Sequence, residues 1–207
     1  FLVSCAGLQA DRMAEASGVT PHVRIIPFRG EYAQLSADLA GNVRRLVYPT
    51  PDPALPFLGV HLTPRVDGRV EVGPNAVLAL AAKGARNSVD PRHALRTLTW
   101  PGFWKMAGRH LTAGVAEEMR SLLPGLLLRD LKRMFPDVEA DDLEPSPDAP
   151  GVRAQAVARD GSLLDDFHLQ LDPAGRALHV LNAPSPAATA ALAIGDEIAA
   201  AVMDAVA

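Results

Sequence analysis

The stretch His179–Leu192, HVLNAPSPAATAAL, decides how this chain is read. A short β-favouring run, Ala177–Leu181, stops at Asn182, and an alanine-rich segment then keeps helical character to Val206. Between them stand Ser185 and Pro186. Serine at an N-cap and proline at the first helical position open a helix well, because the proline lacks only an N–H that would be orphaned anyway. A strand running straight into such a helix aims free N–H groups, and the positive end of the helix dipole, at whatever lies beyond the strand. The same junction also serves as a plain strand–helix turn, and geometry alone does not separate the two uses.

Composition narrows the field. The chain has 207 residues, of which 48% are hydrophobic and 21% charged, enough for one large domain or two small ones. A net charge of −4 with dispersed basic residues gives no nucleic-acid surface. The single cysteine, Cys5, excludes an internal disulfide and a thiolate metal cluster, and fits a reducing, cytoplasmic setting. No apolar run approaches the roughly 18 residues of a membrane span. No two histidines stand three or four apart, so no helix-borne metal pair is expected.

At the other end of the chain, FLVSCA reads as a buried strand, with Gly7 leading into a helix over Leu8–Ser17. On that helix Ala10, Met13 and Ala14 share a core-facing side, while Asp11, Arg12 and Glu15 are expected in solvent. From His22 to Val77 the pattern turns to strands, VRIIPFRGEYAQL, RRLVYPT, FLGVHLTP and RVEVGP, cut by Pro, Gly and Asp clusters. Val66–Gly68, VDG, reads as a hairpin turn. From Asp90 to Phe135 the text is helical, opened by the cap pair Asp90–Pro91. The Pro- and Asp-rich run Pro136–Pro150 is a connector, and Gly151–Val152–Arg153 begins another strand. His168 and His179 alternate with apolar neighbours and are expected on a solvent side.

Several polar residues interrupt the strands. Arg29 sits in a run built for burial and needs an anionic partner, either Glu31 on the same strand face or a ligand carboxylate. Tyr32 is either a donor to a ligand or a half-buried sheet tyrosine. His61 lies among Leu58, Val60 and Leu62, where a satisfied core histidine is the common outcome. Asn75 is a polar contact or a turn residue, and Lys105 either lies over a site or is a solvated helix lysine.

Five blocks, CAGLQADRMA, PFRGEY, PFLGVHLTPRVDGRVEVGPNAVLA, GVRAQAVARDG and HVLNAPSPAATAALAIGDEIA, occur in an order that resembles the C-terminal half of the L-2-hydroxyglutarate oxidase/dehydrogenase family. These are FAD-dependent members of the D-amino-acid-oxidase-like superfamily. The resemblance is weakest over residues 85–150. It implies an α+β and α/β architecture in three segments: residues 1–20 and 141–207 as parts of a glutathione-reductase-like FAD-binding domain, and residues 21–140 as a substrate domain. That substrate domain would hold an antiparallel sheet over 22–77 and short helices over 90–135. The resemblance further implies that Ala6, Gly7, Gly151, Val152, Asn182, Ala183, Pro184, Ser185, Pro186 and Ala187 line the FAD. The substrate would meet Arg29, Tyr32, His61, Asn75, Lys105 and Arg153, with Arg153 clamping a carboxylate and His61 acting as base. The family usually carries a second tyrosine after Tyr32, and Ala33 departs from it.

The expected activity is oxidation of L-2-hydroxyglutarate to 2-oxoglutarate, with oxygen or a quinone as electron acceptor and no metal. Peripheral association with a membrane is a further expectation. No G-x-G-x-x-G occurs, so the turn that holds the FAD pyrophosphate is expected in an N-terminal half preceding Phe1. Two alternatives stay open at this point: another hydroxy-acid or amino-acid oxidase of the superfamily, and a non-catalytic binding or assembly module.

Overall fold

Ala177–Asn182 is apolar along most of its length and buried at all six positions, which only a central strand covered on both sides achieves. In the computed structural model it is β10, flanked by β1 (Leu2–Ser4) in parallel and by β9 (His168–Leu171) in antiparallel register. The structure describes residues 1–50, 59–73, 76–81, 88–111, 114–115, 123–146, 151–183 and 187–206. Mixed helices and sheets make the chain α+β.

The chain divides into two compact units, residues 1–27, 92–106 and 154–207 in the first and 28–91 and 107–153 in the second. In the first unit, β1 passes through a 3₁₀ turn at Gly7–Gln9 into helix α1 (Ala10–Ala16). Ala10 and Ala14 of α1 pack with Val19, Val23, Ile25, Ala156 and Leu181 into one core. Two expectations for this helix fail. Met13 is 46% exposed, whereas Asp11 is 2% exposed. Asp11 is buried because a partner from far along the chain reaches it: Arg96 Nη2 stands 3.0 Å from its Oδ2, and Ile25 N–H donates to the same oxygen at 3.4 Å. Arg96 also binds Glu15 at 2.8 Å, which holds the Glu15 carboxyl below its usual range and raises the Arg96 guanidinium.

Helices α3 (Pro91–Leu98) and α4 (Pro101–Arg109) follow the expected Asp90–Pro91 start. Between them, Trp100 is 4% exposed, with Arg24 and Arg159 guanidinium carbons 4.9 and 4.8 Å from its ring. Its Nε1 donates to Val157 O at 3.0 Å. Gly102 lets α4 approach the strand Gly151–Ala158 closely, since a Cβ there would lie 1.9 Å from Ala158 O. The last helix, Ala191–Val206, has no buried residue.

The second unit holds a four-stranded sheet in the order β4-β5-β3-β7, made of β4 (His61–Pro64), β5 (Val70–Gly73), β3 (Ala33–Leu35) and β7 (Leu143–Pro145). The VDG turn joins β4 to β5 as expected, with Gly68 at φ +88°. RRLVYPT contributes one bridge, Val47 to Leu62, instead of a strand. Leu35, Leu62, Val70, Val72, Leu131 and Val138 form this unit's core, the last two from helix α5 (Pro124–Lys132) and the loop after it. A third sheet has the order β6-β2-β8, with β2 Val23–Gly30, β6 Val77–Leu78 and β8 Gly151–Ala158. Among the described residues no helix is long and apolar enough to cross a membrane.

Candidate active site

His61 opens β4 as a half-buried side chain, and its Nδ1 lies 3.0 Å from Gly59 O. A carbonyl oxygen only accepts, so Nδ1 carries the proton, and in the neutral ring Nε2 holds the lone pair. Tyr48 lies against the imidazole, with ring centroids 5.0 Å apart and planes tilted by 36°. It is held there by the two backbone hydrogen bonds between Val47 and Leu62, at 3.1 and 2.9 Å. Sequence reasoning missed Tyr48 because the bridge that sets it beside His61 joins segments with no shared pattern.

The cross-strand partner of His61 is Gly73. Its φ of +133° is a conformation that favours glycine, and a Cβ there would lie 2.8 Å from Glu31 O and 3.6 Å from Tyr32 Cδ1. Tyr32 therefore lies against the residue that pairs with His61, and the missing side chain at Gly73 is what leaves room for the Glu31 carbonyl. Arg29, 6% exposed, lies on β2 three residues before Tyr32, and its Nη2 and Nε bind Glu31 Oε1 at 3.0 and 3.2 Å. The internal pairing considered from sequence is thus present. Nothing local sets Gly73 apart within RVEVGP; a glycine opposite a strand histidine is the signal that finds it.

Arg153 is half-buried on β8, the strand beside the one that carries Arg29. Among the described residues no carboxylate or carbonyl pairs with it, which leaves its forked N–H groups able to take an anion. Gly151 ahead of it is exposed, and a Cβ there would meet nothing within 4 Å; Val152 is half-buried. Asn75 lies outside the described residues.

The first unit carries the other residues expected beside the cofactor, whereas Gly151 and Val152 belong to the second. Gly7 has φ +53° and open space where a Cβ would stand, directly after β1; Ala6 beside it is half-buried. Asn182 is 6% exposed, and its Nδ2 donates to Leu164 O and Asp166 O at 3.2 and 2.7 Å. Its side chain therefore pins the 164–166 loop to the end of β10. Ala183 and Ala187 are half-buried, whereas Pro184, Ser185 and Pro186 lie outside the described residues. Helical backbone is described from Ala188, first as a 3₁₀ turn to Ala190 and then as the helix from Ala191. Lys105 is exposed on α4, where its Cβ lies 2.7 Å from a Cβ built on Gly161.

The histidines of the first sheet depart from expectation. His179 is 1% exposed, because β10 is a central strand, and its Nε2 lies 2.8 Å from Ser17 Oγ. His168, on β9, is half-buried, and burial holds its imidazole below the usual range, with His22 adding to the effect. Among the described residues no three His, Cys, Asp or Glu side chains could hold a metal ion.

Residues 1–201 match the family described as FAD dependent oxidoreductase. Curated relatives named L-2-hydroxyglutarate dehydrogenase include that of Salmonella houtenae, 47% identical over 95% of this chain and 46% of its own length. That of Escherichia coli (strain K12) is 46% identical over 95% of this chain and 46% of its own length. The mitochondrial protein of Homo sapiens is 42% identical over 96% of this chain and 43% of its own length. The chain spans about half the length of the curated relatives it matches.

Proposed function

We propose, for a chain that belongs to the family of FAD-dependent oxidoreductases, that it forms the substrate-handling half of an enzyme that oxidises L-2-hydroxyglutarate to 2-oxoglutarate. The substrate follows the activity named in relatives that align over nearly the whole chain. The observation that carries the mechanism is the His61 Nδ1–H bond to Gly59 O, which leaves Nε2 as the proton acceptor.

The substrate has two carboxylates and one hydroxyl on C2. Arg153 would hold the C1 carboxylate through its paired N–H groups, because it has no other anion among the described residues. Arg29 would meet the distal carboxylate while sharing its guanidinium with Glu31. Tyr32 would donate its hydroxyl hydrogen to a substrate oxygen beside His61. With the substrate so held, His61 Nε2 takes the hydroxyl proton as C2 becomes trigonal. The flavin, when bound, supplies the hydride acceptor for that step.

The residues present fit one end of the cofactor only. Gly7 leaves unfilled space at the end of β1, and the residues that follow β10 lead into a helix, as a flavin edge requires. The pyrophosphate needs a glycine-rich turn that this sequence lacks. We therefore assign that turn to polypeptide equivalent to the unmatched half of the relatives. A glutathione-reductase-like arrangement, with residues 1–20 and 141–207 on the flavin and 21–140 over the substrate, is part of the same reading. Electrons would leave to oxygen or a quinone, the latter at a membrane surface.

The test joins the N-terminal portion of the Escherichia coli relative to this chain and asks which acid bleaches the bound flavin anaerobically. Bleaching by L-2-hydroxyglutarate, and not by its D enantiomer or by L-lactate, supports the reading. A flavin-bearing chimera that L-2-hydroxyglutarate leaves oxidised ends it.

A further inference from the structure

The clamp around His61 uses more than the carbonyl it donates to. Gly59 has no side chain, and a Cβ there would stand 3.1 Å from Pro49 Cγ, so the segments 47–49 and 59–62 lie directly against each other. The Val47–Leu62 bridge fixes their register, and Tyr48 is the residue that this register delivers to the imidazole. Tyr48 is itself 46% exposed and makes no hydrogen bond among the described residues, which is a poor use of a tyrosine as filling. Its ring does have one definite contact: it covers His61 on one side while Gly59 O holds Nδ1.

We propose that Tyr48 is a positioning residue for His61, its ring confining the imidazole to the rotamer in which Nδ1–H reaches Gly59 O and Nε2 stays unprotonated. The proposal rests on His61 being the base, but its structural half stands separately. Only the Nδ1–H form of the neutral ring can accept a proton at Nε2, so rate scales with the fraction of enzyme in that form. A ring that rotates freely loses the Gly59 bond and divides between tautomers. Contact with the ring face, not the phenol hydroxyl, supplies the confinement, so phenylalanine should replace Tyr48 and an aliphatic side chain should not.

The experiment reads the imidazole rather than turnover. The 207-residue chain is labelled with ¹⁵N-histidine, and the His61 signals are assigned by their loss in His61→Gln. At a pH where the ring is neutral, the parent and Tyr48→Phe should show the Nδ1-protonated pattern. Tyr48→Leu, which keeps apolar bulk and so guards against unfolding, should show an averaged pattern, and Tyr48→Ala the same. A Tyr48→Leu spectrum identical to the parent overturns the proposal, as does a Tyr48→Phe spectrum that matches Tyr48→Leu. In the chimera, Tyr48→Leu should lower kcat with little change in KM and Tyr48→Phe should not. If His61→Ala proves fully active there, the base assignment fails while the spectra still decide the role of Tyr48.

Discussion

Gly102 is where the packing of the first unit is least forgiving. Replacing it with alanine sets a Cβ 1.9 Å from Ala158 O and 2.7 Å from Trp100 Nε1. A carbon–oxygen contact settles at about 3.3 Å, so α4 and β8 must part by more than an ångström. Neither neighbour yields easily: one is strand backbone, and the other is an indole held between two guanidinium groups and bonded to Val157 O at 3.0 Å. Overpacking of this kind costs about 1–3 kcal/mol. Breaking the buried indole bond adds about 1–3 kcal/mol. Against this, alanine gains up to about 1 kcal/mol over glycine in a helix. The expected net loss is about 1–5 kcal/mol, and the helix gain alone is isolated at Gly108 of the same helix, where a Cβ meets nothing within 4 Å. Thermal melts by circular dichroism of Gly102→Ala and Gly108→Ala should therefore differ by at least about 4 °C, at about 2–4 °C per kcal/mol for a chain of this size. If Gly102→Ala melts with or above Gly108→Ala, the close approach of α4 to β8 is wrong.

Other outcomes follow from the same geometry. His168 is held below its usual range in the folded chain, so the unfolded chain binds more protons below about pH 6.5; its contribution is complete above that value and is lost as pH falls. Melting temperature should drop between about pH 7.5 and pH 5.5, and His168→Gln should flatten that slope; an unchanged slope refutes it. In the chimera, Arg153→Lys keeps the charge but loses the fork, and kcat/KM should fall about tenfold to a hundredfold with flavin retained; loss of flavin instead would contradict the carboxylate role. His61→Ala should lower turnover by about 10²–10⁴, whereas a destabilised but fully active variant would make His61 a packing residue. The 207-residue chain without added polypeptide should emerge from desalting colourless, and stoichiometric flavin absorbance would refute the assignment of the pyrophosphate turn.

Local chemistry made some of this fold legible. Asp90–Pro91 announces α3, and VDG announces the β4–β5 hairpin, because caps and turns are decided within a few residues. Burial decided by distant partners was not legible. Asp11 looks like a surface residue until Arg96 arrives from 85 positions away. His179 looks alternating until β1 and β9 close on both edges of its strand. The site shows the same divide. Arg29 with Glu31 follows from spacing alone, whereas Tyr48 and Gly73 acquire meaning only when pairing sets them beside His61 and Tyr32. Family blocks supplied what periodicity could not, namely which of several strand-borne polar residues to set beside a substrate.

The division into two units has a spectroscopic consequence. The chain has two tryptophans and two tyrosines. Trp100 and Trp104 both belong to the first unit, and Tyr32 and Tyr48 both belong to the second. Indole emission excited on the red edge of the absorption band thus senses one unit alone, while near-ultraviolet signals from phenol sense the other. Superimposable denaturation curves from the two chromophores would mean that the units unfold as one cooperative body, and separated curves would give each its own midpoint without a single label being introduced.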